Sequence, residues 1–256
     1  MGYLNGPLPI AFAHRGGATH MHENSMAAFQ YCVDLGYRYL ETDVQLTADG
    51  VVVAFHDLSL NRLTGLAGRI ADTRWDELAE IKNDTVPAIS RLDDILDTWP
   101  QINLNIDAKT ADVVEPLADL VVRRSAQSRV CLTSFSDARI ARLRTLVGPD
   151  AITGVGRAGV GLLRAASYAG RRGTMLQTPG HCVQVPVTVR GKTLVDARFV
   201  TLVHELGKQV HVWTIDDPDE MSRLIDMQVD GIMTDRPEVL KQVLQKRGFW
   251  TTDDAD

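Results

Sequence analysis

The sequence has few cysteines and no long hydrophobic run, and both absences exclude classes of protein. The 256 residues include three cysteines, Cys32, Cys131 and Cys182. They are odd in number, widely separated and without C-x-x-C or Cys/His zinc spacing, so we expect reduced thiols. No run approaches the ~18 apolar residues of a membrane-spanning helix. The first residues lack the basic and apolar regions of a secretory signal. We therefore predict a cytoplasmic protein without a stable membrane anchor.

Positive charge is also scarce. The chain has 27 Lys and Arg against 33 Asp and Glu, a net charge of -6. Surfaces that bind nucleic acids or anionic membranes need clustered basic side chains, so we expect no nucleic-acid partner, and any anion site must be local. Hydrophobic residues at 45% and charged residues at 23% are typical of a soluble globular protein. The composition does not indicate an oligomeric state.

Short apolar runs alternate with helix-period segments, which predicts an α/β fold with a parallel sheet and helical crossovers. The predicted strands are 10–13, 38–44 with 51–55 paired to it, 102–107, 130–134, 151–155, 174–177, 210–214 and 231–234. The predicted helices are 25–36, 92–99, 112–125, 137–147, 158–170, 196–207, 218–228 and 237–247. Eight such units in about 250 residues are typical of a (β/α)8 TIM barrel. No linker divides the chain, so we predict one domain over residues 1–256, frayed at 251–256.

Two irregular inserts, 57–91 and 178–195, follow predicted strands. Loops at that end of a barrel carry the active site, so we expect both inserts to contact substrate, with Gln177 at the root of the second as a contact. The segment G-V-G-R-A-G at 154–159 matches a dinucleotide-binding pattern. No acidic residue ends a strand about 20 residues later, so tight turns are favoured over a cofactor loop.

Carboxylates at two neighbouring strand ends indicate a metal site. Glu41 and Asp43 in L-E-T-D-V-Q are two residues apart and share one face of a strand. Buried together they would repel unless a cation neutralised them; the alternative is an exposed, charged strand edge. Asp107 ends the next strand, although alone such a residue is more often a helix N-cap. Oxygen ligands favour one divalent cation, Mg²⁺ or Ca²⁺, with Mn²⁺ as a further candidate.

Histidine and basic side chains follow neighbouring predicted strand ends. His14 and His56 each follow an apolar run, and two histidines at one barrel mouth can serve as base and acid for a displacement. A lone histidine at a strand end is usually structural, but the pair beside carboxylates favours catalysis. Arg15 and Lys109 supply the charge that a phosphate oxyanion needs. Alternatively, each pairs with a neighbouring carboxylate. The two interpretations are compatible, because such an ion pair can open when an anion binds.

Four motifs together resemble the glycerophosphodiester phosphodiesterase family. They are A-H-R-G-G, H-E-N-S-M-A-A-F, L-E-T-D-V-Q-L-T-A-D-G-V-V-V-A-F-H-D and G-I-M-T-D-R-P-E, in the expected order over nearly the whole chain. The resemblance implies a (β/α)8 barrel that hydrolyses small-molecule glycerophosphodiesters to glycerol phosphate and an alcohol, using one divalent cation.

The resemblance also implies roles for individual residues. It makes His14 and His56 the acid/base pair, Glu41 and Asp43 metal ligands, and Arg15 and Lys109 phosphate contacts. It also implies that Glu23 orients the site, that Asn24 caps the first helix, and that Trp213 packs on the glycerol group. A core position is the alternative for Trp213. Two positions depart from the family: Asp107 stands where Glu is usual, and Asp216 where Asn is frequent. We expect Asp216 to add negative charge at the mouth and to favour a cationic alcohol such as choline.

Two other functions compete with this interpretation. One is a related barrel phospholipase of the sphingomyelinase D or phosphoinositide-specific type, which the missing signal, anchor and basic patch disfavour. The other is a non-catalytic barrel that only binds phosphodiesters. The two histidines beside the carboxylate pair disfavour it, and Asp107 is its main support.

Overall fold

Eight parallel strands form a barrel in the computed structural model, which describes residues 2–19, 21–83, 85–169 and 177–250. The barrel strands are β1 Ile10–Ala13, β2 Tyr39–Leu46, β3 Asn103–Ala108, β4 Val130–Thr133, β5 Ile152–Thr153, β6 Cys182–Val185, β7 Gln209–Val212 and β8 Gly231–Thr234. Hydrogen bonds join them in the order β6-β7-β8-β1-β2-β3-β4-β5. A parallel bridge between Gly154 and Cys182 links β5 to β6 and nearly closes the ring.

Helices follow the barrel strands and cover the outside of the sheet. They are α1 Met26–Asp34, α2 Leu92–Thr98, α3 Val114–Arg123, α4 Asp137–Val147, α5 Arg157–Tyr168, α6 Ala197–Glu205, α7 Pro218–Asp226 and α8 Pro237–Lys246. Side chains of Ser25, Ser136, Asp196 and Asp217 accept hydrogen bonds from amides in the first turns of α1, α4, α6 and α7. These caps satisfy amides that lack a helical partner and set where the helices begin. The predicted α/β barrel is confirmed.

The bottom of the barrel is filled by aromatic side chains, so the site can only open at the other end. Phe12 on β1 and Tyr39 on β2 are buried there, with ring centroids 5.3 Å apart. Tyr3 from the N-terminal segment packs edge-on against Tyr39, whose hydroxyl donates to the Tyr3 carbonyl at 2.6 Å. Such edge-to-face aromatic pairs stabilise a core beyond their burial.

The sixth barrel strand differs from the prediction. Residues 174–176 of the predicted strand 174–177 lie outside the described residues. The barrel strand is Cys182–Val185, within the insert predicted to be irregular. Three of its four residues are buried and apolar, and Gln184 is half-buried. A strand of four residues before Pro186 is too short for a clear sequence period.

Two excursions extend beyond the ends of β2 and β6. The first, the β2–α2 segment (residues 47–91), contains strands Val52–Ala54, Lys82–Asn83, Val86–Pro87 and Ser90–Arg91, helices Asn61–Thr64 and Trp75–Leu78, and the 3-10 turn Ile70–Asp72. The second is the hairpin of Thr188–Val189 and Lys192–Thr193. Further 3-10 turns are His14–Gly16 and Gln127–Arg129. In the described part of the chain, every helix is too short or too polar to cross a membrane.

Candidate active site

Strand register brings the predicted carboxylates together. Asp43 on β2 lies opposite Asp107 on β3, and Glu41 lies opposite Asn105. Glu41, Asp43 and Asp107 are 5%, 2% and 7% exposed, so the alternative of an exposed strand edge is wrong. All three line a cavity of about 650 Å³. Their position follows from the two-residue period of a strand, which turns Glu41 and Asp43 to the same side.

Two cations lie among these carboxylates. Lys109 Nζ is 2.7 Å from Asp43 Oδ1 and 2.9 Å from Asp107 Oδ2. Arg15 Nε is 3.0 Å from Asp43 Oδ2, and Arg15 Nη1 donates to Glu23 Oε1 at 3.0 Å. Burial opposes ionisation of Asp43, but Lys109 and Arg15 outweigh it and hold the pKa of that carboxyl below its usual value. Both cations line the cavity, so an anionic ligand there would compete with the carboxylates for them.

A tight turn after β1 presents Arg15 to the site. Arg15 has a left-handed φ of 53°, and its backbone amide donates to Glu41 Oε2 at 3.1 Å. Gly16 has a φ of 81°, and a Cβ there would lie 2.9 Å from the Cβ of Ala28 on α1. A Cβ on Gly17 would lie 2.9 Å from Pro237. The H-R-G-G motif therefore needs both glycines so that the turn can pack against α1 and α8.

Each catalytic candidate histidine is held by an aspartate. His14 Nδ1 lies 2.6 Å from Asp235 Oδ1, and His56 Nδ1 lies 2.6 Å from Asp57 Oδ1. Both histidines line the cavity, and with Nδ1 engaged each can use Nε2 toward a ligand; His14 Nε2 also lies 3.7 Å from Glu41 Oε2. Burial disfavours protonated His14, but the carboxylates of Glu41 and Asp235 outweigh it and raise the pKa of His14.

The two aspartates were missed by the sequence analysis. Asp57 directly follows His56, so the H-D dipeptide was an available signal. Asp235 follows β8, and Ala13 of β1 pairs in register with Thr234 of β8. That register sets Asp235 beside the residue after Ala13, which is His14. A carboxylate that accepts from Nδ1 fixes the tautomer and the ring orientation of a histidine.

The donors at the site fit a hard divalent cation, although they do not form a preformed cage. No cluster of three His, Cys, Asp or Glu side chains among the described residues is arranged to hold an ion. Lys109 instead bridges two of the carboxylates. Asp107 Oδ1 is buried and makes no hydrogen bond within the described residues, and buried Asp43 Oδ2 has only the ion-pair contact with Arg15 Nε. Burial and the Asp43 carboxylate raise the pKa of Glu41 well above its usual value, so a cation would favour its ionised form.

An aromatic pair forms another part of the cavity wall. Trp213 is half-buried and lines the cavity, and its ring packs edge-on against Phe135 at 5.8 Å between centroids. Trp213 is therefore not a fully buried core residue, although it also packs against buried residues of the barrel interior. Phe135 is 51% exposed, and Lys109 Nζ lies 5.6 Å from its ring. Phe135 was not predicted, although its position directly after the predicted strand 130–134 was a usable signal.

The predicted cap of the first helix is wrong. Ser25, and not Asn24, is the N-cap of α1, and its side chain accepts from the amide of Ala28 at 3.1 Å. Asn24 is fully buried with a φ of 59°, and its Oδ1 accepts from the Thr42 hydroxyl at 2.8 Å. Its amide donates to the carbonyl of Arg15 at 2.7 Å. Asn24 therefore ties the Arg15 turn to β2.

Two further predicted positions lie away from the cavity. Gln177 is exposed and is not among the cavity-lining residues; Gln184 on β6 lines the cavity instead. Asp216, expected to add charge at the mouth, accepts hydrogen bonds from the Thr234 hydroxyl and the Asp235 amide, both at 2.8 Å. Asp216 does not line the cavity, so the structure does not place its charge among the cavity-lining residues as expected. Its contacts support the position of Asp235.

Comparison with known proteins gives one consistent result. Residues 14–239 match the model of the glycerophosphoryl diester phosphodiesterase family. The chain is 37% identical over 244 residues to probable glycerophosphodiester phosphodiesterase 2 of Mycobacterium tuberculosis, covering 94% of this chain and 92% of that protein.

Solved structures show the same fold. The glycerophosphoryl diester phosphodiesterase domain of another Mycobacterium tuberculosis protein matches with a TM-score of 0.80 at 18% identity, over 93% of this chain and 99% of that one. An Oleispira antarctica phosphodiesterase in complex with the product sn-glycerol-3-phosphate matches with a TM-score of 0.75 at 21% identity, over 93% and 97%. These barrels share the architecture in which residues after the strands build the active site.

Proposed function

The chain belongs to the glycerophosphoryl diester phosphodiesterase family, and on that premise we propose that it hydrolyses small glycerophosphodiesters using one divalent cation and a histidine pair. The products are glycerol phosphate and an alcohol. The observation that carries this proposal is the convergence of two histidine–aspartate pairs, three carboxylates and two cationic side chains on one cavity. We also propose that residues 1–256 form a single domain.

Arg15 and Lys109 bind the phosphate. Both pair with Asp43, and Lys109 also pairs with Asp107. A phosphodiester anion exchanges with those carboxylates, and the planar guanidinium of Arg15 can hold two phosphate oxygens at once. The carboxylates of Glu41, Asp43 and Asp107 are then available as ligands. With Mg²⁺, Ca²⁺ or Mn²⁺ bound, the site gains positive charge that polarises a phosphoryl oxygen.

His14 and His56 move the protons. Asp235 and Asp57 hold their Nδ1 atoms, so the Nε2 atoms exchange protons with the reacting groups. One histidine accepts the proton of the nucleophile as its oxygen bonds to phosphorus. The other donates a proton to the leaving alkoxide as the bond between phosphorus and the oxygen of that alcohol breaks. The same pair can serve a water as nucleophile, which gives glycerol phosphate directly. It can also serve the glycerol 2-hydroxyl, which gives a cyclic phosphate that a water must then open to glycerol phosphate.

A panel of soluble diesters tests the function. We expect the purified chain with a divalent cation to release glycerol phosphate from glycerophosphoethanolamine and glycerophosphoglycerol, measured by an enzyme-coupled assay. Phospholipid vesicles should yield no soluble product. Binding of the diesters without turnover would favour the non-catalytic barrel, and turnover of lipid alone would favour the phospholipase.

Charge on the far wall of the cavity predicts the preferred alcohol. The wall formed by β5, α5 and β6 includes Arg157, whose side chain has no hydrogen bond or ion pair with another described residue. Among the described residues that line the cavity, the carboxylates are all on β2 and β3. We therefore expect a cationic leaving alcohol to be disfavoured, which reverses the expectation from Asp216.

Replacement of Arg157 checks this preference. Arg157→Gln should raise kcat/KM for glycerophosphocholine relative to glycerophosphoglycerol by about fivefold, since one solvated charge contact contributes ~1 kcal/mol. The matched control is Arg190→Gln, on the exposed turn of the hairpin that follows β6 and not in the cavity lining. An unchanged substrate ratio in Arg157→Gln would show that this wall does not select the alcohol.

A further inference from the structure

Arg62 joins two carboxylates that belong to different parts of the site. It lies in the β2–α2 segment, on the short helix Asn61–Thr64. Its Nη1 and Nη2 donate to Glu23 Oε2 and Oε1 at 2.9 and 2.7 Å. Its Nε donates to Asp57 Oδ2, and its Nη2 also reaches Asp57 Oδ1 at 3.2 Å. One guanidinium thus binds each carboxylate at two points, the geometry in which arginine is most directional.

Each of the two carboxylates holds a residue of the proposed machinery. Asp57 Oδ1 lies 2.6 Å from His56 Nδ1, and Glu23 Oε1 accepts from Arg15 Nη1 at 3.0 Å. The contacts run without a gap through His56, Asp57, Arg62, Glu23 and Arg15. A proton-transfer group and a phosphate-binding group are therefore connected through a side chain that does not itself line the cavity.

The local fold holds Arg62 in place. Leu60, two residues earlier, is 3% exposed in a small core of the β2–α2 segment that includes Phe55 and Ile70. The Thr64 hydroxyl donates to the Leu60 carbonyl at 2.8 Å, and the turn ends at Gly65 with a φ of 70°. A packed core, and not a free loop, therefore sets the position of the guanidinium.

Charge explains why the connection matters. Arg62 lowers the pKa of Asp57 to about 2, and Arg62 with Arg15 outweighs burial to lower the pKa of Glu23. Both carboxylates are thus ionised at neutral pH. Without Arg62, Glu23 would lose the two-point contact that fixes its carboxylate and would no longer hold Arg15 in a defined position. Asp57 would lose its two-point anchor, and the ring of His56 would lose its orientation.

We propose that Arg62 is a positioning residue that sets His56 and Arg15 in their reactive arrangement through Asp57 and Glu23. This inference rests on the proposed diester hydrolysis. Misplacing a reacting group by about 1 Å can cost about 10²-fold in rate. Arg62→Ala is therefore expected to lower kcat/KM by about 10²-fold, with kcat falling through His56 and KM rising through Arg15.

Chemical rescue separates positioning from a merely structural role. The Arg62 side chain is 47% exposed, so added guanidinium at a non-denaturing concentration can enter the space left in Arg62→Ala. We expect it to restore activity by about tenfold, whereas a variant damaged in its fold would not respond. Arg62→Lys keeps the charge but not the planar guanidinium, so its kcat/KM should lie between those of the wild type and Arg62→Ala. The matched control is Arg69→Ala, an exposed arginine of the same segment outside the cavity, which should keep wild-type kinetics and no response to guanidinium.

A double-mutant cycle identifies the route of action. Glu23→Gln should raise mainly KM, Asp57→Asn should lower mainly kcat, and adding Arg62→Ala to either should cost less than in the wild type. Full additivity would overturn the inference, as would wild-type kinetics in Arg62→Ala or the absence of guanidinium rescue. A wild-type protein that hydrolyses no diester would contradict the proposed function instead, so the two failures are distinguishable.

Discussion

Replacing His14 with glutamine is expected to lower kcat for an alkyl glycerophosphodiester by about 10³-fold, because general acid–base catalysis contributes about 10²–10⁴. Glutamine can still form a hydrogen bond with Asp235, but it cannot carry a proton between reacting groups. KM should change little, since Arg15 and Lys109 keep their contacts in the cavity. Steady-state release of glycerol phosphate measures both constants.

The matched control is another histidine–aspartate pair. His204 Nε2 lies 2.7 Å from Asp230 Oδ2, on α6 and next to β8, and neither residue lines the cavity. His204→Gln should therefore leave kcat unchanged. If His14→Gln kept nearly all of its kcat, His14 would not be a proton-transfer group, however close it lies to the carboxylates.

An activated leaving group assigns the two histidines. A p-nitrophenyl diester expels a phenolate that needs no proton, so the histidine that acts as acid becomes dispensable with this substrate. The loss of kcat in His14→Gln and in His56→Gln is compared between the two substrates. The variant whose loss is smaller with the p-nitrophenyl diester is the one that lacks the acid. Equal losses of both variants on both substrates would contradict the division of roles.

The second large effect is expected at Asp43. Asp43→Asn should lower kcat/KM by about 10³-fold, because bound metal supplies several kcal/mol of transition-state stabilisation and the amide is a poorer ligand. Asp43 is 2% exposed and contacts both Arg15 and Lys109, so the substitution also leaves two partly buried cations less compensated. A lower melting temperature should accompany the loss of activity.

Calorimetric titration with Mg²⁺ and Ca²⁺ separates the two effects. We expect the wild type to lose activity on chelation and regain it with one of these ions, whereas Asp43→Asn binds neither at matched concentrations. Asp76→Asn, at a side chain that is 70% exposed, is the control for removal of one acid. Wild-type ion binding in Asp43→Asn would exclude this carboxylate as a ligand.

Much of the barrel could be predicted because its strands and helices follow local patterns of apolar and polar residues. Strands β1 and β8 begin and end where the apolar runs indicated, and the eight predicted helices each have a counterpart. The strand Cys182–Val185 was missed because four residues carry too little periodicity. Asn24 was mistaken for a cap because Ser25, the actual cap, follows it and both residue types suit that position.

For the site, local sequence spacing was enough to predict which side chains of one strand share a face. Glu41 and Asp43 share a face because strand side chains alternate, and that holds wherever the strand lies. The long-range partners of the site residues depend on the tertiary structure. Asp235 reaches His14 across 221 residues because β8 and β1 pair in register, and Arg62 reaches Glu23 across 39 residues because a small core anchors its segment. Such contacts depend on packing between distant elements, which no local pattern of residues encodes.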